Sequence, residues 1–163
     1  MRTAAVLMGA AALLISATNA SAQAKPNFAG TWTVVVDPNT APAPGRGGGR
    51  GGLGQGATIT QDAKTLTVTR TTQNGEVKAV YNLDGTDSKN TMTFGGNAVE
   101  QTSKVKWDGD KLVVTANSTF NGNPVETTLV LSMDASGQLS AAATGPGRGG
   151  GPPTTTKMTY KKS

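Results

Sequence analysis

The chain of 163 residues carries fifteen Lys and Arg against ten Asp and Glu, a net charge of +5, with 4% aromatic residues and no His or Cys. Without Cys there is no disulfide, no lipoprotein attachment site and no thiolate nucleophile, and without His the usual general base near neutral pH and most zinc ligand sets are gone. A charge this modest speaks to solubility rather than to a nucleic-acid stripe, and the low aromatic content leaves a core built from small and medium side chains.

The first 24 residues read as a secretory signal peptide. Met1-Arg2 supplies a positive start, residues 4–15 an apolar run, and Ala20-Ser21-Ala22 and Ala22-Gln23-Ala24 overlapping small-x-small sites, which predicts cleavage after Ala22 or Ala24. The apolar run is shorter than the roughly 20 residues that span a bilayer, and no second span follows. Loss of Arg2 leaves fourteen basic residues against ten acidic ones. Residues 25–163 then form a single domain, periplasmic or secreted and not transmembrane after processing.

From residue 28 the chain alternates β-branched runs with turn signals. A first strand runs from Phe28 through Trp32, Val34 and Val36 to Asp37-Pro38, where proline removes a ladder donor. Residues 38–56, with Arg46, Arg50 and a glycine run, carry almost no apolar surface and read as a flexible loop. Strands follow at 57–61, at 65–70 with Leu66 and Val68 in phase, and at 77–83 with Val77, Ala79 and Tyr81 in phase. A weaker run at 90–94 precedes 99–107, 111–120, 125–133 and 138–144. A second glycine tract, 145–153 with Arg148, separates these from a closing strand at 154–161. Asn74-Gly75, Asp84-Gly85, Asp108-Gly109 and Asn121-Gly122 mark hairpins, because Gly, Asn and Asp tolerate positive φ.

About ten strands in sequence predict an all-β antiparallel up-and-down meander, favoured as a closed or nearly closed barrel over a sandwich. An even count lets the first strand pair antiparallel with the last and removes exposed edges. Closure of that kind puts both glycine tracts at one mouth.

Phe28-Ala29-Gly30-Thr31-Trp32 resembles the Gly-x-Trp opening of the calycins, the lipocalins and fatty-acid-binding proteins, and Thr159-Tyr160-Lys161-Lys162 resembles the latter's closing strand. Tyr81-Asn82-Leu83-Asp84-Gly85 and residues 104–114 are similar as well, and the order of these motifs resembles small exported bacterial proteins described as lipocalin-like. The resemblance implies a barrel that holds a small ligand. Two departures qualify it. Met158 stands where fatty-acid-binding proteins place an arginine for the ligand carboxylate, and the Pro/Gly/Arg loop replaces their helical lid. Arg70 shares the phase of Leu66 and Val68 and could turn inward as a substitute, although a strand end favours solvent.

An apolar or amphipathic ligand would be lined by Trp32, Tyr81, Trp107, Phe120, Leu129, Met133, Met158 and Tyr160, with the small Ala116, Ser118, Ala141 and Ala143 leaving space. The default reading of the tryptophans, of Trp32 above all, is as core aromatics that plug the barrel, with the pocket wall as the alternative. Arg46, Arg50 and Arg148 form a basic rim suited to an anionic envelope component; export sets nucleic acid aside despite the likeness to RGG boxes. No catalytic constellation emerges. All seven Asp lie at or beside turns, Glu76, Glu100 and Glu126 face water, and Asp108-Gly109-Asp110 lacks the ligand series of a calcium loop. No metal site or cofactor motif is found. Two readings follow: a non-enzymatic exported ligand binder, or a structural module of the cell envelope that uses its arginine loops. The volume of the interior separates them.

Overall fold

The computed structural model describes residues 25–35, 52–72, 75–94, 97–147 and 151–163. The leader, Arg46, Arg50 and Arg148 lie outside the described residues.

Ten antiparallel strands make one sheet: β1 (Gly30–Val34), β2 (Gly56–Gln61), β3 (Thr65–Thr72), β4 (Gly75–Asn82), β5 (Ser88–Phe94), β6 (Asn97–Asp108), β7 (Lys111–Phe120), β8 (Asn123–Met133), β9 (Leu139–Gly145) and β10 (Thr154–Lys162). Each forms for the reason the pattern predicts. Alternation puts Leu66 and Val68, Ala79 and Tyr81, and Leu129 and Leu131 on the buried face while their neighbours lie on the other. The hairpins follow their turn residues. Between β7 and β8, Asn121 and Gly122 take φ of 51° and 78°, the paired positive values of a tight hairpin turn.

The sheet order is β4-β3-β2-β1-β10-β9-β8-β7-β6-β5. The first strand pairs with the last, Trp32 opposite Lys162 and Val34 opposite Tyr160, as an even count requires. The meander breaks at one place. Strands β4 and β5, consecutive in the chain, share no ladder, so the barrel is nearly closed, with a seam between them. Side chains fill that seam. Asn90 accepts from the Val80 N–H at 2.8 Å and donates to the Val80 carbonyl at 3.0 Å, and Ser88 Oγ accepts from the Asn82 N–H at 2.7 Å. An inward amide and a hydroxyl thus replace the peptide groups that a neighbouring strand would offer.

Register distinguishes the two ends of the barrel. At the base, where β1 begins, Phe28 is fully buried, its N–H bonded to Gln61 Oε1 at 2.9 Å and its ring stacked 6.1 Å from Trp107. Trp32 lies beside it, its indole N–H donating to the Phe28 carbonyl at 2.8 Å. At the other end, the mouth, β1 and β3 finish and β4, β8 and β10 begin. The described residues that flank both glycine tracts therefore meet at the mouth.

The core runs between these ends. Leu66, Leu112, Leu131, Leu139 and Ile59 are essentially inaccessible, each contributing about 1.5–3 kcal/mol by burial. Residues 52–55, which fall inside the stretch read from sequence as a flexible loop, are built into the barrel. Leu53 is 1% exposed, and the Gln55 carbonyl accepts from the Val34 N–H at 3.0 Å. The physical reason is a lone leucine among glycines. It has an apolar cavity to fill, and its neighbours offer no steric resistance. Gly56 lets β2 start this close to β1, since a Cβ there would sit 2.7 Å from the Trp32 carbonyl oxygen.

Candidate functional site

The candidate site lies beneath the mouth. Gly52, Leu53, Val68, Arg70, Val77, Ala79, Tyr81, Met92 and Leu129 line a cavity of about 10 Å³, room for about one water. Strand β3 supplies Val68 and Arg70, β4 supplies Val77, Ala79 and Tyr81, and β5 and β8 supply Met92 and Leu129 across the seam and the interior.

Arg70 is the one charged group in this lining. It keeps the inward phase of Leu66 and Val68 instead of reaching solvent, which corrects the expectation for a strand end, and its Nη1 donates to the Gly52 carbonyl. Pairing explains the orientation. Arg70 lies opposite Val77 in a continuous β3–β4 ladder, so the alternation of the strand persists to its end. Burial pushes its guanidinium below the ordinary value, with the Tyr81 and Tyr160 phenols acting in the opposite sense. Among the described residues no carboxylate pairs with it; the recorded ion pair, Lys104 with Asp87 at 3.5 Å, is on the surface. A guanidinium remains charged even when buried, so this is a permanent cation in a largely apolar lining.

Both tyrosines of the chain stand near it. Burial raises the Tyr81 phenol and pushes Tyr160 up to about 12, in each case against the opposing pull of Arg70. Tyr160 Oη donates to the Gly54 carbonyl at 2.8 Å and also lies 3.5 Å from Met158 Sδ.

The structure divides the ligand-lining residues expected from sequence. Tyr81 and Leu129 line the cavity. Tyr160 is buried within hydrogen-bond reach of the adjoining loop, and Met158, half-buried, contacts it. Trp32 and Trp107 belong to the base instead, where Trp107 stacks on Phe28 and carries the Lys25 ammonium 5.1 Å from its ring centroid. Met133 ends β8 at the base too, packed on the core, and Phe120 ends β7 at the mouth. Gly52, Leu53, Val68, Val77, Ala79 and Met92 are linings absent from the expected set; alternation already puts Val68, Val77 and Ala79 in phase with their inward neighbours, so Leu53 and Met92 are the two that no pattern pointed to. A single leucine in a glycine tract was the available signal for Leu53; Met92 needed the position of the seam. The small Ala116 and Ala141 do face inward and are buried, but neither lines this cavity.

The acidic residues behave as turn residues. Asp62 accepts from the Lys64 and Thr65 N–H groups, Asp84 from Thr86, and Asp134 from Ser136 and Gln138, and these bonds hold all three carboxyls below their ordinary value. Glu76, Glu100 and Glu126 are exposed. Among the described residues no cluster of acidic side chains could hold a metal ion, and no helix is long and apolar enough to cross a membrane.

No family model matches the chain, and no curated protein does. Its fold is similar to that of solved structures. One is zebrafish ileal bile acid-binding protein complexed with cholic acid, with a TM-score of 0.54 and 21% identity over 83% of this chain and 98% of that one. At that identity the likeness carries the fold: ten antiparallel strands in a nearly closed barrel of the calycin type.

Proposed function

We propose that this chain is an exported, non-catalytic barrel that binds a small anionic amphiphile. The observation that carries the reading is Arg70: an inward cation with Val68, Val77, Ala79, Met92 and Leu129 around it and no carboxylate partner among the described residues. A buried charge is costly unless paired, so a site that keeps one is suited to an anion that arrives with an apolar body. Tyr81 and Tyr160 add neutral hydroxyl groups beside it, able to donate to the same anion. The cholic acid complex of the similar structure supports this choice, since its ligand is of the same chemical kind. Residues 1–24 serve as the leader in this reading, and the chain works in the periplasm or outside the cell. The lack of His and Cys and the engagement of Asp62, Asp84 and Asp134 in turns favour binding over catalysis.

A second reading has an observation of its own. Among the described residues the cavity beside Arg70 measures about 10 Å³, far below the 300 Å³ or so of a ligand site, as a structural module with a filled barrel would have. In that reading Arg46, Arg50 and Arg148 meet an anionic envelope component. Native mass spectrometry of protein purified gently from its source cells decides between them. A retained anionic small molecule, on a polypeptide lacking residues up to Ala22 or Ala24, supports the binder. Repeated isolation of the bare polypeptide, with no uptake of added anionic amphiphile, would sink it and favour the module.

A further inference from the structure

A binder whose site admits one water must open, and the structure indicates which part moves. We propose that Gly52-Leu53-Gly54 is a built-in competitor for the site, a plug that occupies the places of a ligand's head and tail; this rests on the reading of the barrel as a binder of anionic amphiphiles. The Gly52 carbonyl takes the Arg70 guanidinium, where the anion would sit. Leu53, fully buried, supplies the apolar body within the lining. The Gly54 carbonyl takes the Tyr160 hydroxyl, the second polar anchor. Three successive residues thus satisfy the cation, the apolar wall and a phenol together.

The plug can leave without dismantling the fold. It belongs to the connection before β2 and to no strand, so its withdrawal breaks no ladder between strands. Gly54 sits at φ of 69°, and neither Gly52 nor Gly54 has a side chain to anchor it. A carbonyl is also a replaceable partner for Arg70. The Arg70–Gly52 bond has one charged partner, whereas a carboxylate or sulfonate adds Coulomb attraction and can take two guanidinium N–H groups, so an anion outcompetes the Gly52 oxygen while its apolar portion replaces Leu53. A neutral apolar molecule has no such advantage at Arg70. The plug therefore sets affinity and Arg70 sets specificity: the fraction of molecules that are unplugged scales the affinity of every ligand alike, and an anion alone gains from Arg70.

The test compares the wild type with Leu53→Ala and Arg70→Met, using anilinonaphthalene sulfonate as an anionic probe and phenylnaphthylamine as its neutral counterpart. Trimming Leu53 should tighten the binding of both probes by the same factor, about ten, because more molecules are then unplugged. In the wild type, hydrogen exchange at residues 52–55 should accelerate when the sulfonate is added. If the wild type binds the sulfonate through Arg70 while Leu53→Ala binds no tighter and exchange at 52–55 is unchanged, the plug is wrong and the binder stands. If neither wild type nor Leu53→Ala takes up the sulfonate, both fall. Should Leu53→Ala lose its β-sheet circular dichroism, exchange in the wild type alone decides.

Discussion

Asn90 holds both peptide groups of Val80, accepting from its N–H at 2.8 Å and donating to its carbonyl at 3.0 Å, and so closes the one place where the sheet lacks a ladder. A side-chain amide has the same donor and acceptor as a peptide bond, which is why one residue can stand in for a paired strand at that point. The seam lies beside the candidate site, since Ala79 and Tyr81 on one side and Met92 on the other line the cavity.

Asn90→Ala should therefore cost about 2–3 kcal/mol, the penalty for leaving two part-buried backbone groups without partners. Urea unfolding measures the loss, and hydrogen exchange at Val80 should rise more than at residues of the β7–β8 ladder. Asn90→Asp should keep the bond from the Val80 N–H and lose the one to its carbonyl. A variant as stable as the wild type would show that the seam bonds are ornamental.

Arg70→Met should leave the fold intact and remove affinity for anionic amphiphiles by at least about tenfold, the order expected when a charge-assisted hydrogen bond is lost. Its unfolding midpoint should stay close to that of the wild type, because the cost of a half-buried charge with no carboxylate partner among the described residues is removed together with its bond to the Gly52 carbonyl. Isothermal titration with laurate reads the first effect and thermal unfolding the second. Equal laurate affinity in both proteins would remove Arg70 from the site.

The tyrosines give a pH dependence. Both folded-state phenols lie above the ordinary value of 10.0, Tyr160 at about 12, so the native state holds its protons where the unfolded chain has released them. Their contribution to stability is complete below pH 10 and is lost as pH rises toward 12. Ultraviolet absorbance should show no tyrosinate in the folded protein near pH 10, followed by ionisation of both residues together as the barrel unfolds in alkali. Two independent titrations at the ordinary value before unfolding would contradict the burial argument.

Ser103 is fully buried on β6, and its hydroxyl has no hydrogen-bond partner among the described residues. Burying an unsatisfied hydroxyl costs about 1–3 kcal/mol, so Ser103→Ala should be neutral or stabilising by about 1 kcal/mol. Chemical denaturation checks the sign, and a loss of more than about 1 kcal/mol would mean that the hydroxyl is satisfied in solution.

Local pattern was sufficient for the ten strands, their turns and the closing pair β1–β10, because alternation and turn chemistry are properties of neighbouring residues. Trp32 was legible only as an inward aromatic: whether it lined a pocket or plugged the base depended on its bond to the Phe28 carbonyl. The same limit scattered the expected site. Trp107, Met133 and Phe120 share an apolar phase with Tyr81 and Leu129, yet register sends the first two to the base and the third to the mouth.

Alternation of residue types in the chain alone thus establishes an antiparallel barrel and which side chains face inward. How far along the barrel axis each one sits is decided only in three dimensions, since it depends on pairing between strands remote in sequence. So is the seam between β4 and β5, where Asn90 and Ser88 replace a ladder that their order in the chain would predict. The position of Leu53 is tertiary as well. A leucine among glycines has no local preference, and it is the unfilled space above Leu129 and Tyr81, next to Arg70, that draws it into the mouth.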